Sequence, residues 1–186
     1  MLILRVPSAA DEAVLRLAHR ELESDGHPGF LLHGYTGDES DFREYLLNLE
    51  KFSAGRELPE AMVQDDFLIA EVEGEIIGRI SIRHTLNDFL FNYGGHIGYM
   101  VRPAFRRRGY ASEMLRQALL VAKELGIDAV LLTCNDDNLG SIKVIEKHGG
   151  QLEDKVDENG KLLRRYWINN SKGQTRSGNN RNTFER

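Results

Sequence analysis

The sequence predicts an α/β fold, a mixed, twisted sheet of six to seven strands with helices on both faces. Three observations carry that expectation. First, a short strand at Ile97–Val101, a glycine-bearing loop and a helix opened by Gly109 lead directly into a second apolar strand at 129–134. Such a strand–helix–strand unit crosses over right-handedly and makes its two strands parallel neighbours. Second, strands at 67–73 and 75–84 flank Gly74 as a hairpin. Third, strands at 151–156 and 162–168 flank the turn signal Glu158-Asn159-Gly160.

In chain order, residues 2–6 read as a first strand. Ser8 caps a helix over 9–23, with Asp11 three residues on to return the bond to the cap. Residues 25–37 hold Gly26, Pro28, Gly29, Gly34 and Gly37 and read as a loop. Phe42, Tyr45, Leu46, Leu49 and Phe52 recur at helical spacing, so 41–53 is a second helix, and Gly55 sits where it ends. The hairpin follows, then a loop over 85–95 rich in aromatic and amide side chains. On the helix over 109–125, Ala111, Met114, Leu115, Ala118, Ala122 and Leu125 share one apolar face. The run 129–134 is continuously apolar, as in a strand buried on both faces. A last helix spans 139–148. From Asn169 the composition turns to Asn, Ser, Gly, Thr and Arg, too polar to bury surface. The expected organisation is one domain over 1–168 and a disordered polar tail over 169–186, without internal repeats.

Composition excludes several classes. A length of 186 residues with 41% hydrophobic and 28% charged side chains suits one globular domain. The net charge, 24 − 29 = −5, argues against a general nucleic-acid binder. An RNA-binding reading would have to use Arg106, Arg107 and Arg108 with Lys172, Arg176, Arg181 and Arg186, and predicts steeply salt-dependent affinity. No apolar run is long enough to span a bilayer, and the apolar start is too short for a signal peptide. A lone cysteine, Cys134, excludes an intrachain disulfide. These features give a cytoplasmic expectation, with neither membrane nor nucleic acid as partner.

The segment after Ile97–Val101 carries the functional signal. Pro103 lacks an amide hydrogen and ends strand pairing. The basic run Arg106-Arg107-Arg108 precedes Gly109 at the helix start. A helix N-terminus offers free N–H groups and the positive end of its dipole. Arginine forks suit phosphate oxygens. The plain alternative is a solvated basic patch. Neither a Gly-x-x-x-x-Gly-Lys-Ser/Thr loop nor a Gly-x-Gly-x-x-Gly motif after a strand is present.

The pattern Arg106-x-x-Gly109-x-Ala111 after Met100-Val101 resembles the pyrophosphate loop of the GNAT superfamily of N-acetyltransferases. Downstream, Asn138-x-x-Ser141-x-x-Val144 followed by Gly149-Gly150 resembles the second half of that core. The resemblance is good over roughly residues 66–168 and loose over the first 65. Ile82-Arg83-His84, Leu86-Asn87-Asp88 and Gly94-Gly95-His96-Ile97-Gly98-Tyr99 are similar to a clade of predicted acetyltransferases with no named acceptor. The resemblance implies acetyl-CoA as co-substrate, no metal, and a primary amine on a small molecule or protein as acceptor. It assigns pyrophosphate binding to Arg106, Arg107, Arg108, Gly109, Tyr110, Ala111 and Ser112. It gives the pantetheine arm to the backbone of Met100 and Val101 and to Asn138 and Ser141. The oxyanion donor is the N–H of Val101 or Met100. Many members carry a tyrosine acid seven residues after the Asn. Ile145 stands there, which leaves Ser141, Tyr166 or water.

Acetyl transfer to an amine needs a neutral nucleophile, although lysine-like amines titrate near ~10.4. A base must take the proton, directly or through water, and a donor must meet the charge growing on the acyl oxygen. His96, just before the central strand, is the first candidate base, with His84 and Glu71 behind it. His84, Asn87, Asp88 and Tyr99 are candidate acceptor-binding residues. The structural alternatives are strand-end hydrogen bonds for the histidines, turn formation for Asn87 and Asp88, and core packing for Tyr99. Cys134 at the end of an apolar strand reads as an inert thiol, so transfer is expected to be direct, in a ternary complex. A non-catalytic acyl-CoA-binding module of the same fold is the competing expectation. The sequence leaves a homodimer open.

Overall fold

The computed structural model describes residues 1–35, 37 and 41–171. Seven strands and four α-helices alternate as β1 (Leu2–Arg5), α1 (Glu12–Ser24), α2 (Phe42–Ala54), β2 (Asp65–Val72), β3 (Glu75–Arg83), β4 (Ile97–Val101), α3 (Tyr110–Glu124), β5 (Ala129–Asn135), α4 (Leu139–Lys147), β6 (Gln151–Glu158) and β7 (Lys161–Asn169). The predicted α/β class and strand number hold. The strands form two ladders, β1-β2-β3-β4 and β5-β7-β6. Every pairing within them is antiparallel.

Local chemistry explains the element boundaries. Before α1, the Ser8 N–H donates to Asp11 Oδ2 at 2.7 Å, and Asp11 returns its own N–H to the Ser8 carbonyl. This capping box closes a single tight turn over Ala9–Asp11 ahead of the helix. Asp41 caps α2 by accepting from the Arg43 and Glu44 amides, and Gly55 closes it in the left-handed region at φ 63°. The β2–β3 hairpin turns through Glu73 and Gly74, both at positive φ, as a two-residue connection demands.

Two cores lie on opposite faces of β1–β4. One face packs Ile77, Ile80, Ile82 and Ile97 against α3, α4 and β5 through Met114, Leu115, Leu132 and Ile145. The other packs Phe67, Ile69 and Ile76 against α1 and α2 through Leu15, Leu22, Tyr45 and Leu49.

Three features differ from the sequence expectations. The strands flanking α3 form no ladder, because β4 and β5 diverge. Residues 90–94 are a π-helical turn rather than plain loop. The domain also runs past 168. Asn169 pairs with Ala129 at the end of β7. The Asn170 amide donates to the Leu119 and Ile127 carbonyls at 2.9 and 3.2 Å, tying α3 to the start of β5. A polar residue here closes the fold by satisfying buried carbonyls, which composition does not reveal. The remainder of the expected tail, 172–186, lies outside the described residues. No helix among the described residues is long and apolar enough to cross a membrane.

Candidate active site

The site begins where β4 leaves β5. The His96 N–H donates to the Leu131 carbonyl at 2.7 Å, and the Leu131 N–H donates to His96 Nδ1 at 2.9 Å. Gly95 permits this approach, since a Cβ there would lie 2.6 Å from the Leu131 oxygen. Beyond His96 the strands part, and no described strand pairs with that edge of β4.

Register decides which amides face the gap. Arg83 N–H bonds to the His96 carbonyl and Arg102 N–H to the Ile77 carbonyl. These fix the phase of the β3–β4 ladder, in which Ser81 opposes Gly98 and Arg79 opposes Met100. In an antiparallel pair, alternate residues turn their backbone groups toward the partner. Gly98 and Met100 therefore bond to β3, and Ile97, Tyr99 and Val101 present N–H and C=O to the open edge. This excludes Met100 as an oxyanion donor, because its N–H is spent in the ladder. Val101 keeps an outward N–H, while its carbonyl accepts from Arg106 Nε at 3.1 Å.

The loop that follows leaves backbone N–H groups without side-chain partners. Arg107 and Gly109 both take left-handed backbone, at φ 64° and 82°, which turns successive N–H groups toward one side. A Cβ on Gly109 would meet nothing within 4 Å, so the space beside that backbone is open. The α3 N-terminus has no side-chain cap, leaving the amides of Tyr110, Ala111 and Ser112 for an external acceptor. Ser112 Oγ lies 2.9 Å from His148 Nε2 at the rim. The arginines do not act as one cluster. Arg106 is held by Asp25 at 2.6 Å, and Arg108 leans over the Phe105 ring. Arg102, which sequence reasoning passed over, is buried and forked on Glu21 at 2.8 and 2.9 Å, fixing the loop to α1. Arg107 and Arg108 are exposed beside the free amides.

Across the gap, Asn138 Oδ1 caps α4 by accepting from the Ser141 N–H at 3.0 Å, so its amide group stays available as a donor. The Tyr99 hydroxyl is buried without a well-aligned partner. Burial pushes it up to about 12 against the pull of the neighbouring Ser141 side chain. Ile145 is core, 1% exposed. The Tyr166 hydroxyl is bonded to Glu146 and Arg164 inside the fold. Burial also lifts the Cys134 thiol, to about 11.

The expected base and acceptor residues separate. The His96 lone pair on Nδ1 is spent on Leu131. Burial first, and Arg83 second, bring its pKa down to about 4. A neutral ring pinned in this way is a poor proton acceptor at neutral pH. Glu71 is paired with Arg5 at 2.6 Å and belongs to the β1–β2 edge. His84 Nε2 sits 2.8 Å from Asp66 Oδ2, which orients the ring and leaves Nδ1 facing away. Asn87 is structural on both sides, accepting from the Leu90 N–H and donating to the Ala61 carbonyl. Asp88 accepts from Asn92 through its own carbonyl, with its carboxylate exposed. No group of three or more metal-ligating side chains occurs among the described residues.

A family model of the acetyltransferase (GNAT) domain matches residues 1–151, and the chain belongs to that family. Solved structures share its fold. The acetyltransferase yncA of Salmonella typhimurium, solved with its cofactor acetyl-CoA, superposes with a TM-score of 0.63 at 16% identity over 92% of this chain and 95% of its own. A second Salmonella typhimurium acetyltransferase, which modifies the N-terminal serine of ribosomal protein L7/L12, gives a TM-score of 0.64 at 18% identity over 90% and 94%. The microcin C7 self-immunity acetyltransferase MccE, in complex with acetyl-CoA and AMP, gives 0.63 at 17% over 90% and 92%. None of the curated protein sequences matches this one.

Proposed function

We propose that this protein is an acetyl-CoA-dependent N-acetyltransferase that delivers the acetyl group to a primary amine by direct attack in a ternary complex. The observation that carries the reading is the edge of β4, unpaired among the described strands and joined through residues 102–109 to the uncapped first turn of α3. A pantetheine arm has amides that can add to such an edge as a pseudo-strand. A pyrophosphate fits the amides of Gly109, Tyr110, Ala111 and Ser112. Structures of similar fold solved with acetyl-CoA support the choice of co-substrate.

Acetyl-CoA supplies the acyl group as a thioester. The outward N–H of Val101 meets charge developing on the acyl oxygen. The Asn138 amide and the Ser141 hydroxyl face the arm from α4. Ser141, backed by Tyr99, takes the acid role that Ile145 cannot fill, since the Tyr99 hydroxyl keeps its proton at neutral pH. His84, oriented by Asp66, has the free ring nitrogen a base needs and acts through a chain of waters, because it lies six residues beyond Gly78, the partner of Val101 in the register. His96 is a positioning residue. Lifted to about 11, the Cys134 thiol stays protonated, so no thiolate is at hand for an acetyl-cysteine. The lone buried thiol fits a reducing, cytoplasmic setting.

Two outcomes follow. Tyr99→Phe should lower kcat by roughly 10²-fold with little change in acetyl-CoA affinity; unchanged kcat would remove Tyr99 from the acid role. Cys134→Ala should keep most of kcat, and trapping of labelled acetyl on Cys134 in the wild type would overturn direct transfer. Thiol release from acetyl-CoA with a panel of amines tests the reading as a whole.

A further inference from the structure

The face of β2–β3–β4 that meets α1 and α2 is not wholly apolar. Asp65, Arg79, Ser81 and Arg83 line it among Phe67 and Ile69, with Asp65 opposite Arg83 and Phe67 opposite Ser81 in the register. Asp65, Arg79 and Ser81 are 2%, 6% and 0% exposed. Several of their polar atoms have no hydrogen-bond partner: Asp65 Oδ1, Arg79 Nε and Ser81 Oγ, together with the Tyr45 hydroxyl above them. His33 Nε2 lies 2.8 Å from Asp65 Oδ2 without hydrogen-bond alignment. One unpaired buried polar atom is tolerable. Several in one place are costly, and such groups call for an occupant.

The charges are equally unbalanced. Arg79 donates to the Gly98 and Gly29 carbonyls at 3.2 and 2.8 Å. Arg83 donates to the Gly94 and Gly95 carbonyls at 3.2 and 3.3 Å. Neither guanidinium has an ion pair among the described residues. Asp65 is the single carboxylate set against the Arg79 and Arg83 guanidiniums, which leaves one excess positive charge among these three side chains. Burial first, and the neighbouring Arg83 second, bring Arg79 down to about 10, with Asp65 opposing the shift. Both guanidiniums converge on Gly98. Arg79 bonds its carbonyl, and a Cβ on Gly98 would stand 3.4 and 3.6 Å from the two terminal nitrogens of Arg83. Gly98 and Arg83 are partly buried, which makes them the more accessible members of a cluster whose Asp65, Arg79 and Ser81 are buried. Gly98 also lies on β4, one residue from Tyr99 and three from Val101.

We propose that Arg79, Ser81 and Arg83 form an acceptor subsite for the carboxylate of a small amino-carboxylic acid, placing its amine over β4. The proposal rests on the acetyltransferase reading above and names its substrate class. A carboxylate brings a single negative charge and oxygens for the free Arg79 Nε–H and Ser81 O–H. A phosphate monoester brings nearly two charges and overshoots the excess. Asp65 keeps the two guanidiniums from repelling each other when the subsite is empty.

The experiment compares amino acids with their decarboxylated amines and with amino-alkyl phosphates. Each is tested for thiol release with acetyl-CoA and, separately, for calorimetric binding to the CoA-loaded protein. Loss of the carboxylate should lower kcat/KM on the order of 100-fold, the size of a charge-assisted pair. In Arg79→Gln that discrimination should collapse toward one, while acetyl-CoA affinity is kept. Ser81→Ala, which removes only an unpaired hydroxyl, should keep the fold and raise KM for the acids alone. Decarboxylated amines turning over as well as the acids would overturn the subsite and leave acetyl transfer standing. A preference for the phosphates would overturn the carboxylate assignment. Arg79-dependent binding of amino acids without thiol release would uphold the subsite and remove the transfer reading. Neither binding nor transfer of any acid would overturn the subsite.

Discussion

Gly109→Glu is expected to abolish acetyl-CoA binding and leave the fold intact. Gly109 sits at φ 82° with open space where a Cβ would go. An L-residue in that region costs about 1–2 kcal/mol, which a domain of this size withstands. The larger effect is on the ligand. A carboxylate would enter the space a pyrophosphate needs, beside amides that favour negative charge from elsewhere. Affinity should drop beyond calorimetric detection, with the melting temperature lowered only by several degrees. Gly109→Ala separates the two contributions: it shares the backbone cost and lacks the carboxylate, so it should retain measurable binding. Equal affinity in the wild type and Gly109→Glu would remove the loop from the site.

His96→Ala is expected to have the second largest effect, through architecture rather than proton transfer. It leaves the Leu131 N–H without an acceptor in the core and opens a cavity, at a cost of about 2–4 kcal/mol. Activity should fall at every pH, with no recovery in alkaline buffer where the amine deprotonates unaided. A base would show that recovery. Stability gives a second signature. The folded ring titrates at about 4 against 6.5 unfolded, so between those values the unfolded chain binds the extra proton. The stability that depends on neutral His96 is complete above pH 6.5 and is lost as pH falls toward 4, by roughly 3 kcal/mol. Urea unfolding at pH 7 and pH 4.5 should show this loss in the wild type and a smaller one in His96→Ala. If activity in His96→Ala recovers at high pH, His96 is the base and the role assigned to His84 falls. His84→Gln is the matching variant and should recover at high pH.

What the sequence made legible was local. The capping pair Ser8 and Asp11, Gly55 closing α2, and the run from Ile97 to Gly109 each depend on residues close together in the chain, where spacing carries geometry. The divergence of β4 and β5 depends on His96 meeting Leu131 across 35 positions, and no local pattern marks it. The same holds for Arg102. In the sequence it is one more arginine beside a basic run, and only the fold shows it buried on Glu21. The phase of the β3–β4 ladder separates Val101 from Met100, and it needs the partner strand. Arg79 and Ser81 alternate with Ile80 and Ile82 as polar residues do on a solvated strand face. That pattern hides two side chains buried beneath α1 and α2. By composition Asn170 belongs with the polar tail, because a single amide bonded to the Leu119 and Ile127 carbonyls leaves no compositional trace.

Acetyl transfer, rather than acyl-CoA storage, is the role proposed for the open edge of β4 and the α3 N-terminus. The most direct measurement is initial-rate thiol release from acetyl-CoA as both acetyl-CoA and an amine are varied, with the acetylated amine identified by mass. Release should require the amine, saturate in both substrates, give intersecting double-reciprocal lines and add one acetyl group to the amine. Tight binding of acetyl-CoA with no amine-dependent release across the panel would contradict that role and leave a module that binds the thioester without turning it over.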